Sequence, residues 1–267
     1  MKPYHADESV TLYGGDSLAA LRDLPTGSVD ALITDPPYSS GGMVRGDRMG
    51  STSGKYSMLG RRGIDRPEFS GDNRDQRAYG YWCALWLSEC LRIVKPGGVA
   101  LLFSDWRQLP TTTDALQSGG WVWRGLAVWD KTPRCRPHVG RFTAQAEFIA
   151  WGSNGPMPSD ERSATTLEAH AGVRSIMAPH GDKHHTTGKP TEVMRWLVRI
   201  CPPGGTILDP FMGSGTTGVA ALIEGRKFVG VEMVPHYQQV AERRIREAQG
   251  QAVAKGDQDA FDFGDAS

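Results

Sequence analysis

Two stretches of this sequence bring together residue types that chemistry needs. The first is Asp35-Pro36-Pro37-Tyr38, which follows the apolar run 31–33. Two prolines remove two backbone donors and fix φ, so the turn presents carbonyls and one carboxylate that only accept hydrogen bonds. Tyr38 adds a π-face beside them. Such a cluster suits a planar amine that must be stacked and drawn out of its resonance. An Asp-Pro turn equally serves as a plain structural corner.

The second stretch is Asp209-Pro210-Phe211-Met212-Gly213-Ser214-Gly215-Thr216-Thr217, a strand end passing through glycines into a helix. Glycine lets backbone approach a ligand closely, and a helix start offers unpaired N–H groups. A phosphate loop would carry a lysine beside its last Ser or Thr, and none is there. Gly213, Gly215 and Gly218 match a dinucleotide spacing, but Asp209 at the lip repels a pyrophosphate and pairs with an ammonium or sulfonium. Glu232, ending the next apolar run, is placed to accept from ribose hydroxyls. An amino-acid nucleoside fits better than a dinucleotide, with a ligand-free glycine turn as the plain alternative.

The elements that must position these residues are legible as patterns. Apolar runs at 10–13, 31–33, 99–103, 206–208 and 228–231 each end in acid or turn residues and read as short buried strands. Tyr79, Trp82, Cys83, Trp86, Leu87, Cys90, Leu91 and Val94 recur at helical spacing and stop at Lys95-Pro96-Gly97-Gly98. Further helices are expected over 191–201, 215–224 and 235–248. Strand–helix alternation implies an α/β fold, a doubly wound and mostly parallel sheet with helices on both faces. Ligands of such sheets sit beyond the carboxyl ends of the strands, where the acids and glycine turns fall.

Two segments fit no regular element. Residues 39–71 carry eight Gly and six cations (Arg45, Arg48, Lys55, Arg61, Arg62, Arg66) against three acids, a long basic loop of the kind that is functional or disordered. Lys131, Arg134, Arg136 and Arg141 stand in a stretch without an acid. Residues 1–250 read as one catalytic domain and 251–267 as an acidic disordered tail. With 30 Lys+Arg against 30 Asp+Glu, bulk charge attracts no polyanion, so such a partner must meet a local basic patch. No run is long enough to span a membrane and no signal-peptide core opens the chain, so a cytoplasmic protein without a membrane partner is expected. Cys83, Cys90, Cys135 and Cys201 lack CxxC spacing and read as reduced structural thiols.

Taken together, Asp-Pro-Pro-Tyr and the later Asp-Pro-Phe-x-Gly-Ser-Gly-Thr-Thr closely resemble the amino-methyltransferases of DNA, which use S-adenosylmethionine to methylate exocyclic nitrogens. The tetrapeptide upstream of the cofactor loop resembles their circularly permuted β class, with its Rossmann-like fold. Leu12-Tyr13-Gly14-Gly15-Asp16-Ser17-Leu18, Lys95-Pro96-Gly97-Gly98, Thr187-Gly188-Lys189-Pro190 and Ala146-Glu147-Phe148-Ile149-Ala150-Trp151-Gly152 are similar to further family motifs. The resemblance spans residues 10–248.

Carried over residue by residue, it implies catalysis by Asp35, Pro36, Pro37 and Tyr38. Asp209, Phe211, Gly213, Ser214, Gly215, Thr216 and Thr217 would hold the methionine portion of the cofactor, Glu232 the ribose, Asp16 the adenine edge, and Lys189 would neutralise the cofactor carboxylate. His184-His185-Thr186-Thr187-Gly188-Lys189-Pro190 departs from the usual His-Pro-Thr-x-Lys-Pro, so His185 receives no role. No metal is expected, because methyl transfer needs none. Lys131, Arg134, Arg136 and Arg141 would meet double-stranded DNA, and loop 39–71 would close over a flipped nucleotide. The resemblance would place the target-recognition segment within residues 131–187, and the stretch 153–187 is short enough to suit a short site or one shared across a homodimer.

The implied reaction is N6-adenine methylation in a restriction-modification setting. N4-cytosine methylation, methylation of RNA or protein amides, and a DNA-binding module with a vestigial fold are the rivals. C5-cytosine methylation is disfavoured: its cysteine nucleophile follows a proline, whereas these four cysteines follow Trp82, Glu89, Arg134 and Ile200.

Overall fold

The structure is a computed structural model and describes residues 1–38, 74–135, 139–140, 142–157, 170–177 and 188–262, with backbone alone at 76 and 252–262. Loop 39–71, Arg136, Arg141, Thr187, the histidines at 180, 184 and 185, much of the segment 131–187, and the last five residues lie outside the described residues.

Nine strands form one sheet among these residues: β1 (His5–Ala6), β2 (Val10–Gly14), β3 (Val29–Thr34), β4 (Val94–Ser104), β5 (Val122–Asp130), β6 (Ala146–Ser153), β7 (Val173–Ser175), β8 (Thr206–Asp209) and β9 (Lys227–Glu232), in the order β1-β2-β9-β8-β3-β4-β6-β5-β7. The block β2-β9-β8-β3-β4 is parallel, as the five apolar runs imply. β6 pairs antiparallel with both β4 and β5, which brings the start of β6 to the carboxyl end of β4.

The helices are α1 (Ser17–Asp23), α2 (Gln76–Ile93), α3 (Leu109–Ser118), α4 (Thr191–Val198), α5 (Thr216–Ile223) and α6 (Pro235–Asp262). Alternate residues of the central strands feed two cores. Ala31, Ile33, Val99, Leu101 and Phe103 face a cluster that includes Val193 of α4, Ala220 of α5 and Ile245 of α6. Leu32, Ala100 and Leu102 face another with Leu21 of α1, Trp86 of α2 and Leu116 of α3. Period-two alternation with apolar residues on both sides is what a strand buried on both faces requires.

Two boundaries differ from the sequence pattern. Val94 belongs to β4, paired with Val29, because α2 ends one residue earlier. The Lys95-Pro96-Gly97-Gly98 stop is therefore an irregular step inside the strand. A Cβ on Gly98 would come within 2.6 Å of the Asp30 carbonyl, so only glycine fits. The tail differs too: α6 runs through Gly250 to Asp262, making 251–262 helical where disorder was expected. Few apolar residues read as disorder, yet Ala, Gln and Lys are good helix formers and continue a helix already nucleated upstream. Among the described residues no helix is long and apolar enough to cross a membrane.

Candidate active site

The carboxyl ends of β3 and β8 open on one cleft, which Asp35, Lys189, Asp209, Phe211, Gly213 and Thr217 help to line. Asp35 is delivered there by β3 and the two prolines. Its Oδ1 accepts from the Tyr38 hydroxyl and its Oδ2 accepts from Lys189 Nζ at 2.6 Å. Burial pushes its pKa up to about 6, against the pull of the Lys189 ammonium.

Lys189 precedes α4 and reaches across the end of β4. Its Nζ donates to the Tyr38 hydroxyl at 3.2 Å, lies 3.6 Å from Glu147 Oε2 on β6, and sits 4.9 Å from the Phe103 ring centre on β4. The resemblance would place this ammonium on a cofactor carboxylate; in the structure it is held by two carboxylates of the chain itself. The strand order explains why, since β3 and β6 flank β4 and a lysine is long enough to span them. Those two acids raise the pKa of Lys189 in spite of its burial.

Asp209, 2% exposed, also points inward. Its Oδ1 accepts from Thr34 Oγ1 at 2.7 Å and Phe211 N at 3.0 Å, and its Oδ2 accepts from Thr217 Oγ1 at 2.5 Å. It borders the cleft, and these three bonds tie it to the shape of the loop. Burial lifts its pKa to about 6.

The loop is pinned from several sides. Met212 N donates to Val231 O at 3.0 Å and Gly213 N to Glu232 Oε2 at 3.0 Å. Gly213 and Gly215 adopt φ of +51° and +79°, and a Cβ on Gly215 would stand 3.0 Å from that of Ala241. Gly215 starts α5 without a side-chain cap. Ser214 and Thr216 are bound from behind by Arg244, whose Nη1 reaches the Ser214 carbonyl at 2.7 Å and Thr216 Oγ1 at 3.1 Å. Phe211 packs against Trp82 and Trp86 of α2, with ring centres 5.3 and 5.1 Å away.

Glu232 ends β9 beside this loop. Its Oε1 accepts from Val234 N at 2.8 Å, and burial raises its pKa. Asp16 caps α1 by accepting from Ala19 N at 3.1 Å and remains exposed. The neighbouring Gly15 N donates to Glu232 O at 3.0 Å, which joins the ends of β2 and β9. Asp16, Glu232 and the loop from Asp209 to Thr217 are thus brought to one sheet edge, as the sequence pattern implies.

The basic segment behaves differently. Lys131 follows β5 and its ammonium pairs with Glu147 at 2.8 Å, because Lys131 N bonds Gln145 O beside the start of β6. Expected at DNA, it is satisfied within the chain. Arg134 is exposed. Glu147 and Arg244 are site residues that sequence reasoning did not single out. Glu147 lies inside a quoted motif, whereas Arg244 carries no local signal. Burial pushes the Cys83 and Cys201 thiols up to about 12, which makes thiolate nucleophiles of neither.

Fold and site together define a Rossmann-like methyltransferase. The profile of the family described as DNA methylase, of the N6/N4 type, matches residues 29–243, and the chain belongs to that family. It is 29% identical over 256 residues to the type II methyltransferase M.HinfI of Haemophilus influenzae, covering 89% of this chain and 68% of that protein. Its fold is shared with M1.HpyAVI, solved in complex with SAM, at a TM-score of 0.62 and 24% identity over 88% of this chain and 98% of that one. The cytosine-N4-specific PvuII DNA methyltransferase aligns at a TM-score of 0.66 and 18% identity, covering 95% of each chain.

Proposed function

We propose that this protein transfers a methyl group from S-adenosylmethionine to the N6 amine of adenine, flipped out of double-stranded DNA in the cytoplasm. The observation that carries this reading is that Asp35 and the glycine loop line the same cleft. The residues present fit the cofactor. Gly213 has open space where a side chain would stand, α5 starts uncapped for a carboxylate, and the acids Glu232 and Asp16 suit hydroxyls and an amine edge. Phe211, Gly213, Ser214, Gly215, Thr216 and Thr217 would hold its methionine part. When bound, it supplies a methyl group already activated on a sulfonium.

The chain's own task is the acceptor. An exocyclic amine delocalises its lone pair into the ring and is a poor nucleophile. Asp35 and the Pro36 carbonyl would each accept one of its N–H bonds, drawing the nitrogen towards a tetrahedral shape. Tyr38 would stack on the extruded base, and holding both reactants in line contributes several kcal/mol. Asp35 then stands where the proton leaving the amine can be received.

Adenine is favoured over cytosine by the resemblance of Asp at the first tetrapeptide position to adenine enzymes and by the larger stacking face of a purine against Tyr38. Mixed-sequence duplex DNA, incubated with the protein and labelled S-adenosylmethionine, digested and weighed as nucleosides, should contain N6-methyladenine. N4-methylcytosine without methyladenine would overturn the base assignment, and no label in DNA would overturn the activity.

A further inference from the structure

Glu147 belongs neither to the tetrapeptide nor to the cofactor loop, yet it stands between them and the basic segment. At the start of β6, its Oε1 accepts from Lys131 Nζ at 2.8 Å while its Oε2 lies 3.6 Å from Lys189 Nζ. Lys189, with a side chain only 9% exposed, continues to Asp35 Oδ2 at 2.6 Å. Four alternating charges, Lys131, Glu147, Lys189 and Asp35, therefore run from the basic segment to the carboxylate assigned to the acceptor amine.

The end of that row has a problem to solve. Both oxygens of Asp35 already accept, one from Tyr38 and one from Lys189, so an incoming amine must displace one of them. A carboxylate paired with an ammonium is also a weaker acceptor than a free one. Something must share Lys189 with Asp35, and Glu147 is the second carboxylate in reach.

We propose that Glu147 is a positioning residue that divides Lys189 between itself and Asp35, and that Lys131 sets the division. With Lys131 in place, Glu147 is half neutralised and Lys189 leans to Asp35. Once Lys131 turns to another anion, such as a phosphate, Glu147 draws Lys189 and releases Asp35 for the amine. Engagement of the basic segment is thereby tied to the readiness of the catalytic carboxylate. This rests on the reading of Asp35 given above.

The groups facing Asp35 are Lys189 and Tyr38 in contact, Glu147 behind Lys189, and Asp209 and Tyr79 from the flanking elements, each of which feels its charge. Glu147→Gln keeps the shape and removes a negative charge, leaving Lys189 to Asp35 alone. Lys131→Gln does the reverse. The acid limb of the kcat/KM–pH profile, which reports the free enzyme, should move to lower pH in E147Q and to higher pH in K131Q, each by about half a unit or more.

The test uses the full chain, mixed-sequence duplex DNA and S-adenosylmethionine, with cofactor affinity and melting temperature of each variant as evidence of folding. Shifts of opposite sign support the proposal, because damage to packing would lower both rates without moving the limbs apart. Profiles that superimpose on wild type, or shifts of the same sign, overturn it. Asp35→Ala in the same assay keeps the two readings apart: full turnover would sink the role of Asp35 itself. An inactive D35A beside unshifted E147Q and K131Q profiles would sink the Glu147 link alone.

Discussion

Arg244 Nη1 donates to the Ser214 carbonyl at 2.7 Å, from a side chain in α6 that is only 9% exposed. The glycine loop is therefore fixed by a residue of α6. The same nitrogen holds Thr216 Oγ1, so one guanidinium sets both ends of the Ser214–Thr216 step. Arg244→Met should keep the fold of α6 but lose these charge-assisted bonds, at a cost of about 1.5–3 kcal/mol in cofactor binding, roughly a tenfold to hundredfold rise in Kd. Calorimetry with S-adenosylmethionine checks it, and an unchanged Kd would show that the loop holds its shape unaided.

Asp35→Ala should abolish methyl transfer while cofactor affinity changes little, since the carboxylate acts on the acceptor and not on the bulk of the nucleoside. Turnover above about a tenth of wild type would mean that less than about 1.4 kcal/mol was lost, too little for a group assigned to the reacting amine. Single-turnover assays at saturating DNA give this number directly.

Glu232→Ala should raise the cofactor Kd by an amount worth about 1.5–3 kcal/mol, because a charged acceptor is removed from the rim and Gly213 N loses its partner. Wild-type affinity in this variant would move the ribose elsewhere.

How far these residues could be read beforehand depended on whether their role is local. β3 and β8 were legible because strands buried on both faces read as unbroken apolar runs, and the acids that end them fall at the site by topology alone. Val94 was not, since an apolar residue between helix and strand fits either period. β5, β6 and β7 were missed as strands: β5 is largely exposed and lacks a continuous apolar run. Glu147 meeting Lys189 and Lys131, and Arg244 meeting Ser214, are consequences of strand order and helix packing, which no window of sequence contains. The same limit hid the partner of Lys131. A cation in an acid-free stretch reads as free, but antiparallel pairing brought it a carboxylate.

Arg134 lies exposed beyond β5. Neutralising Arg134 and Arg136 together should weaken DNA binding and reduce the slope of log K against log salt by up to about two, close to one for each lost phosphate contact. Fluorescence anisotropy on duplex DNA across a salt series measures the slope. If it is unaltered, these arginines do not touch the backbone.

Asp209 makes a prediction about stability and pH. Its carboxyl titrates at about 6 in the fold against an ordinary value of 3.8, so between these values the folded protein binds a proton that the unfolded chain does not. A raised carboxyl pKa contributes stability that is fully present below the unfolded value and is lost as pH rises through the folded one. The change is on the order of 3 kcal/mol, since each pKa unit is worth about 1.4. It applies with little screening because the side chain is 2% exposed. Asp209→Asn removes the titration and keeps one oxygen acceptor. From about pH 3.5 to about pH 7, a range that brackets the two pKa values, wild type should lose stability relative to this variant, read as the difference between their urea midpoints at each pH. Parallel curves would show that the buried carboxylate carries no excess cost, and that the hydrogen bonds from Thr34, Thr217 and Phe211 N hold its pKa at the ordinary value.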